Sequence, residues 1–380
     1  MCGILGLLKD NVNDNEISLL KKGLSNIEHR GPDGFGEYFN NNLYLGHRRL
    51  SIIDVSDSAK QPMLSDNKKY YIVFNGEIYN YKELAKELKI NTSSDTKLLL
   101  EGFVKLGFDF FNKIRGIYSF AIYDLSKKEI YLVRDRAGVK PLYYSVVNNS
   151  ICFGSEIKSI KPLIDTKLSV NHSAISDFLN LGFCVEPSTI YNEIHALSPG
   201  SVLTYNLERK KIKISSFGLY DFENINSFSF NENKERTNYL LDIATNRNLI
   251  SDVPLSIALS GGIDSSLIYG YANSNNKVKG ITVKMDDKSF DESHVATSFS
   301  NFLKAPHKII NLHFDDKIEL LDRLLLHFDQ PFADSSLIPF YFLNKEARKY
   351  SKVLIGGDSG DELHNGYLGF SVLPFLLNTK

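Results

Sequence analysis

At 380 residues the chain is too long for one ordinary domain and fits two. Hydrophobic residues make up 43% and charged residues 23%, and 45 acidic side chains nearly cancel 44 basic ones, which argues against a nucleic-acid or membrane-surface partner. No apolar run approaches the ~20 residues of a membrane span, the start MCGILGLLKD lacks the basic segment of a secretory signal, and three unpatterned cysteines exclude a disulfide framework. A cytoplasmic protein is expected.

From Met1 to about Tyr205 the pattern is one of short strands with two or three helices. Ile17, Leu20, Leu24 and Ile27 recur at helical spacing, and Leu98, Leu99, Phe103 and Leu106 suggest a second amphipathic helix. Between them, Tyr71 to Phe74 reads as a strand ending in the turn-prone pair Asn75-Gly76. Ile117 to Tyr123 and Ile130 to Val133 read as a hairpin, so this half is expected to be largely antiparallel sheet. Between about Lys211 and Glu235 the regular pattern fades, which predicts a linker. Beyond it, strands at Leu255 to Leu259, Val278 to Val283 and Val353 to Ile355 alternate with helices from about Asp264, Ile318 to Leu326 and Ile338 to Arg348. That alternation predicts a parallel, doubly wound α/β sheet with its ligand at the carboxyl ends of the strands. The expected domains are 2–215 and 236–380.

Cys2 becomes the N-terminal residue if Met1 is removed, and then carries a thiol and an α-amine on one carbon. An α-amine titrates near ~7.7–8.0 and can take the thiol proton, directly or through water. Cys152 and Cys184 have no comparable context and read as buried small residues.

The segments around Cys2 carry a resemblance. MCGILG is followed by HRGPDG from His29, GHRRLSIID from Gly46, QPM from Gln61 and FNGEIYN from Phe74. SSDT from Ser93, DRAGVKPLYY from Asp135 and FGSEIK from Phe153 complete the series. Together they resemble the class II glutamine amidotransferases, and within them the asparagine synthetases. The implied fold is an α+β sandwich of the N-terminal-nucleophile hydrolase kind, two antiparallel sheets between helices. Free glutamine presents a carboxylate, an ammonium and a neutral amide. Arg49 suits the carboxylate, and Asp95, with Glu77, suits the ammonium. The alignment of Arg49-Leu50-Ser51-Ile52 favours Arg49 over Arg48. The resemblance assigns the oxyanion donors, for the charge that develops when Cys2 attacks the amide, to Asn75 and Gly76.

In the second half, SGGIDSS from Ser260 follows a strand and opens a helix, a place where backbone N–H groups and the helix dipole favour an anion. There is no G-x-x-x-x-G-K-[ST] loop. SGGxDS resembles the loop of the ATP pyrophosphatases, which implies ATP as substrate and contacts from Ser260, Gly261, Gly262 and Ser265. FDES from Phe290, DQPFADSS from Asp329 and GGDSGDEL from Gly356 are close to asparagine synthetase segments. By position the resemblance places Ala258, Val283, Gly356 and Gly357 on the nucleotide. It gives Asp264 and Asp361 to Mg²⁺, which prefers one or two carboxylates plus phosphate oxygens. The chain departs from the family in Gly-Gly-Asp-Ser at 356–359 and in Gln330, where Glu is usual. Family members continue past Lys380 into a basic segment with a catalytic lysine, so the synthetase half is expected to be incomplete.

The implied function is glutamine-dependent asparagine synthesis from glutamine, aspartate and ATP. Two other readings stay open: a sister enzyme amidating another carboxylate, as in surface-polysaccharide assembly, and a glutamine-binding module without synthetase turnover. A homodimeric assembly is also left open.

Overall fold

The computed structural model describes residues 1–218, 227–284, 291–311 and 317–367. The chain divides into two compact units, Met1–Ile225 with Asp322–Asp334, and Asn226–Leu321 with Ser335–Lys380.

The first unit contains, in chain order, β1 (Gly3–Leu8), β2 (Gly34–Phe39), β3 (Leu43–Arg49), β4 (Met63–Leu64), β5 (Tyr70–Ile78) and β6 (Gly116–Asp124). There follow β7 (Glu129–Arg134), β8 (Tyr143–Val147), β9 (Ser150–Gly154), β10 (His195–Ala196), β11 (Ser201–Asn206) and β12 (Lys211–Ser216). They form two six-stranded sheets, in the orders β10-β8-β9-β1-β3-β2 and β12-β11-β7-β6-β5-β4, and every pair is antiparallel.

The sheets pack face to face because each strand alternates apolar residues at period two. Ile4 and Leu8 of β1 and Leu43 and Leu45 of β3 meet Val73, Ile130 and Leu132 of the other sheet, all fully buried. Each such side chain contributes ~1.5–3 kcal/mol relative to exposure. The intervening Leu5 and Leu7 face outward, onto Leu20 and Leu24 of the helix Asp14–Asn26. That helix starts with a capping box: Glu16 N–H donates to Asn13 Oδ1 at 2.9 Å, and Asn13 N–H to the Glu16 carboxylate at 3.0 Å. On the far face of the second sheet lies the helix Asp95–Leu106, capped by Ser94, which buries Leu98, Leu99, Leu100 and Phe103. The result is helix, sheet, sheet, helix.

Two expectations are corrected. Asn75-Gly76 is not a turn: β5 runs straight through the pair, with Asn75 opposite Ser119 and Gly76 opposite Tyr118 of β6. A Cβ on Gly76 would lie 2.2 Å from the Ile117 carbonyl oxygen and 2.6 Å from Tyr118 Cα, so the close approach of β6 requires the glycine. The predicted linker is also partly regular. Lys211–Ser216 is edge strand β12 and Ser229 caps the helix Phe230–Asn248, while 219–226 lie outside the described residues. Both elements are largely exposed; β12 carries only a short alternation of Ile212 and Ile214 with lysines at a sheet edge, and the helix is largely polar.

The second unit holds a four-stranded parallel sheet of β13 (Leu255–Ala258), β14 (Lys279–Lys284), β15 (His307–Asn311) and β16 (Val353–Ile355), ordered β15-β14-β13-β16. Ile257 and Leu259 pack under Tyr269 and Ala272 of the helix Ile263–Asn275 and Ala296 of the helix Ser293–Leu303. The strand order reverses between β13 and β16, which is where doubly wound sheets bind ligands. Among the described residues no helix is long and apolar enough to cross a membrane.

Candidate functional site

Cys2 sits immediately before β1, where Gly3 pairs with Arg48 of β3. That register sets the Cys2 thiol beside Leu50, whose N–H donates to Sγ at 3.3 Å. Arg30, itself buried, donates from Nε to the Cys2 carbonyl at 2.9 Å and from Nη1 to Glu156 at 2.9 Å. His29 also reaches Glu156. The cysteine is thus held by backbone and a buried ion pair rather than by its own side chain.

One cavity of about 50 Å³ gathers Cys2, Arg49, Asn75, Gly76, Glu77 and Asp95, with Met1, Gln61, Thr96 and Lys140 among its walls. Strands β3 and β5, the residues before β1, a helix start and loop positions supply them. Asn75 and Glu77 sit one pleat apart on β5, and Asp95 opens the helix Asp95–Leu106. Asp95 accepts the Ile78 N–H at 3.2 Å and the Thr96 N–H at 2.7 Å. Burial nevertheless raises its carboxyl to about 7, against those two hydrogen bonds and with the help of Glu77. Glu77 is raised as well, by burial, with Lys140 opposing.

The two arginines part company. Arg48 turns onto the helix Asp14–Asn26, donating to Leu24 O at 3.1 Å, pairing with Glu28 and lying over the Phe35 ring. Arg49 lines the cavity, its guanidinium anchored by the Ser56 carbonyl at 2.9 Å and by the Asp54 carbonyl. Asn75 is fully buried; its Nδ2 approaches Ser119 Oγ at 3.4 Å and its Oδ1 has no partner among the described residues. His47, kept neutral by burial, donates to the Phe74 carbonyl at 3.1 Å and ties β3 to β5 beside it.

At the cavity mouth the α-amine of Met1 is pulled down to about 5, chiefly by burial. Burial pushes the Cys2 thiol up, while the Leu50 N–H and the N-terminal charge oppose that rise. The arrangement offers a thiol, an α-amine, two cationic side chains, two carboxylates and two carboxamides around one small space. Arg30 and Lys140 had no role from sequence. Both stand inside the quoted segments, but which way they face depends on the fold. Cys152 and Cys184 are buried away from this chemistry.

In the second unit, the loop after β13 is closed by its own serines. Ser260 N–H donates to Ser265 Oγ at 3.1 Å, Gly262 N–H to Ser260 Oγ at 3.1 Å, and the two hydroxyls lie 2.8 Å apart. The Gly261 N–H donates to Glu292 at 2.9 Å, so an anion entering here meets that carboxylate. Phe290 of the same segment lies outside the described residues. A cavity of about 250 Å³ opens at the carboxyl ends of β13 and β14, lined by Ala258, Ser260, Thr282, Val283, Glu292 and Phe340. Gly261, Gly262, Asp264 and Ser265 flank it on the loop and helix start.

Gly356 and Gly357 follow β16, and Gly357 and Gly360 lie against that helix start: a Cβ on Gly357 would come within 2.8 Å of Ser265 N, and one on Gly360 within 2.4 Å of Asp264 Cγ, while one on Gly356 would meet Asp358. Asp361 is the next residue. Neither Asp264 nor Asp361 has a side-chain hydrogen bond or ion pair among the described residues, and no group of three or more metal-type side chains occurs among them. Two unpaired carboxylates next to an anion loop fit a hard divalent cation that takes its remaining ligands from phosphate and water.

Residues 1–217 match the family described as "Glutamine amidotransferase domain", and residues 236–378 match the family described as "Asparagine synthase". "Asparagine synthetase (glutamine-hydrolyzing) 1" of Bacillus subtilis is 33% identical over 97% of the chain, which spans 59% of that protein. A Methanocaldococcus jannaschii protein provisionally named asparagine synthetase (glutamine-hydrolyzing) 2 is 34% identical over 97% of the chain, which spans 76% of it.

Proposed function

The chain belongs to the glutamine-hydrolysing asparagine synthetase family, and we propose that it hydrolyses glutamine at Cys2 and uses the ammonia to amidate aspartate activated by ATP. The observation that carries this reading is the single cavity joining Cys2, Arg49, Asn75, Gly76, Glu77 and Asp95. Glutamine's carboxylate pairs with Arg49 and its ammonium with Asp95 and Glu77. The thiol proton passes to the α-amine, sulfur attacks the amide carbon, and the oxygen's new charge falls to Asn75 Nδ2 and the Gly76 N–H. The α-ammonium returns that proton to the leaving nitrogen, so collapse of the intermediate expels ammonia and leaves a thioester, which water cleaves to glutamate.

In the second unit the nucleotide lies across the carboxyl ends of β13 and β14, with its phosphates on the loop Ser260–Ser265. Asp264 and Asp361 would hold Mg²⁺, which when bound neutralises phosphate charge. An aspartate carboxylate oxygen attacks the α-phosphorus and pyrophosphate leaves. Ammonia then displaces AMP from the acyl-adenylate.

The test is product analysis with glutamine, ATP, Mg²⁺ and a panel of acceptor acids. Glutamate, asparagine, AMP and pyrophosphate should appear together, with pyrophosphate dependent on aspartate. Turnover with a different acid instead of aspartate would transfer the acceptor assignment, and no glutamate at all would remove the first half.

A pH dependence follows from Asp95. Its carboxyl is raised in the folded state, so its ionised form costs stability above about pH 7 and is relieved as pH falls. Binding an ammonium requires that ionised form. The KM for glutamine should therefore rise as pH drops below about 7, approaching tenfold per unit. Asp95→Asn should show a high KM with no such slope, and a wild-type KM flat across this range would remove Asp95 from ammonium binding.

A further inference from the structure

The turn from Asp135 to Lys140 is built around one carboxylate. Asp135 Oδ1 accepts the N–H groups of Ala137 and Val139, both at 3.0 Å, and Oδ2 accepts those of Tyr118 at 3.1 Å and Lys140 at 3.0 Å. Its carbonyl accepts Gly138 and Gly200. Behind it, buried Arg134 donates to Gly138 O at 2.8 Å and to Lys140 O at 3.0 Å, and pairs with Glu186. A turn bonded this completely has little freedom, and what it positions is Lys140.

Lys140 is only 8% exposed and its side chain walls the cavity that holds Cys2. Among the described residues its ammonium has no ion-pair partner within 4.0 Å and no hydrogen bond. A buried cation without a partner is costly and is pushed toward its neutral form unless nearby anions hold its charge. The charged and titratable groups facing Cys2 and Lys140 are the Met1 α-amine, Arg30, Glu77, Asp95 and Asp135.

We infer that Lys140 is a positioning residue for the Cys2 thiolate: held in the cavity wall by the Asp135 turn, its ammonium stabilises the sulfur anion and sets how much of Cys2 is reactive near neutral pH. The inference rests on Cys2 being the nucleophile of the proposed function. Lys140 neither gives nor takes a proton; the thiol proton passes to the α-amine, leaving S⁻ near three cations, the α-ammonium, Arg30 and Lys140. Burial and Asp95 drive the thiol upward, against the Leu50 N–H, the N-terminal charge and Arg30, and a further fixed cation in the same cavity wall favours the anion. Lys140 is lowered by burial, and Glu77 and then Cys2 are among the groups that oppose that fall, which is the same attraction seen from the lysine.

The experiment measures the rate of Cys2 alkylation by iodoacetamide against pH, read on the N-terminal peptide by mass spectrometry, in the full processed chain. Lys140→Met, Lys140→Gln and Lys140→Arg are compared with wild type after melting curves establish that each is folded. The Met and Gln variants should react ~10-fold more slowly at neutral pH, with the profile moved up by about one unit, and Arg should restore most of the rate. Glutaminase kcat/KM should fall in parallel. Met and Gln profiles within about twofold of wild type, or an Arg variant as slow as Met, would overturn the inference. A wild type that releases no ammonia from glutamine, yet shows the Lys140-dependent profile, would instead sink the glutaminase reading and leave this one standing.

Discussion

Cys2→Ala lowers glutamine hydrolysis by at least ~10⁴-fold, the loss expected when a covalent nucleophile is deleted. The fold is expected to survive. The Cys2 residue is only half buried, its thiol makes one weak bond each way with Leu50, and Cys2 is anchored through its carbonyl by Arg30. Cys2→Ser should be nearly as inactive, because a hydroxyl is a much poorer nucleophile than a thiol in a site shaped for sulfur. Glutamate release, measured beside a melting curve, checks both. Pyrophosphate release with externally supplied ammonia should be unchanged in the same variants, since the nucleotide loop belongs to the other unit. The N-terminus gives an independent control: mass spectrometry of active protein should show Met1 removed, because Met1 walls the cavity and places the wrong amine beside the thiol. Full glutaminase activity in Cys2→Ala, or in a chain that retains Met1, would defeat the mechanism.

Asn75→Ala is expected to lower kcat by ~10²–10³ with little change in KM, because an oxyanion donor acts only once charge reaches the oxygen. Stability should change by no more than about 1 kcal/mol from hydrogen bonding, since among the described residues the side-chain amide makes one long bond, to Ser119, and its Oδ1 has no partner. Arg49→Ala should behave in the opposite way. It binds a carboxylate that keeps its charge throughout the reaction, so its loss raises KM and leaves kcat nearly intact. Steady-state kinetics on the two variants separates the roles. If both change KM alone, Asn75 is a binding residue and the oxyanion lies elsewhere.

The glutamine-site residues named from sequence fall into one cavity, although they come from four separate stretches of chain. They were legible because each reacting group of glutamine demands a particular side-chain type, and because the segments occur in order. The helices Asp14–Asn26 and Asp95–Leu106 were legible for a different reason, the 3.6-residue spacing of leucines that face a sheet. The helix Phe230–Asn248 escaped because an exposed helix need not repeat an apolar pattern, and the short alternation of Ile212 and Ile214 in edge strand β12 was too brief to stand out beside the charged and polar residues around it.

The nature of the chemistry was therefore determined by the sequence alone: a cysteine able to become N-terminal, a cation and carboxylates for a zwitterion, and a serine-glycine loop between strand and helix. Tertiary structure alone decided which way those groups face. Asn-Gly is a common hairpin pair, yet here it continues a strand because β6, forty residues later in the chain, supplies nine paired partners from Tyr70↔Asp124 to Ile78↔Gly116. Arg48 and Arg49 are adjacent and chemically alike, and only the alternation of β3 turns one onto a helix and the other into the cavity. Lys140 and Arg30 reach Cys2 through an Asp135 turn and a Glu156 ion pair, neither of which is local to Cys2. Glu292 meets Gly261 across thirty-one residues because β13 and β14 are parallel neighbours. Chemistry follows from composition and order along the chain, whereas direction follows from strand register, which is set by hydrogen bonds between residues far apart in sequence.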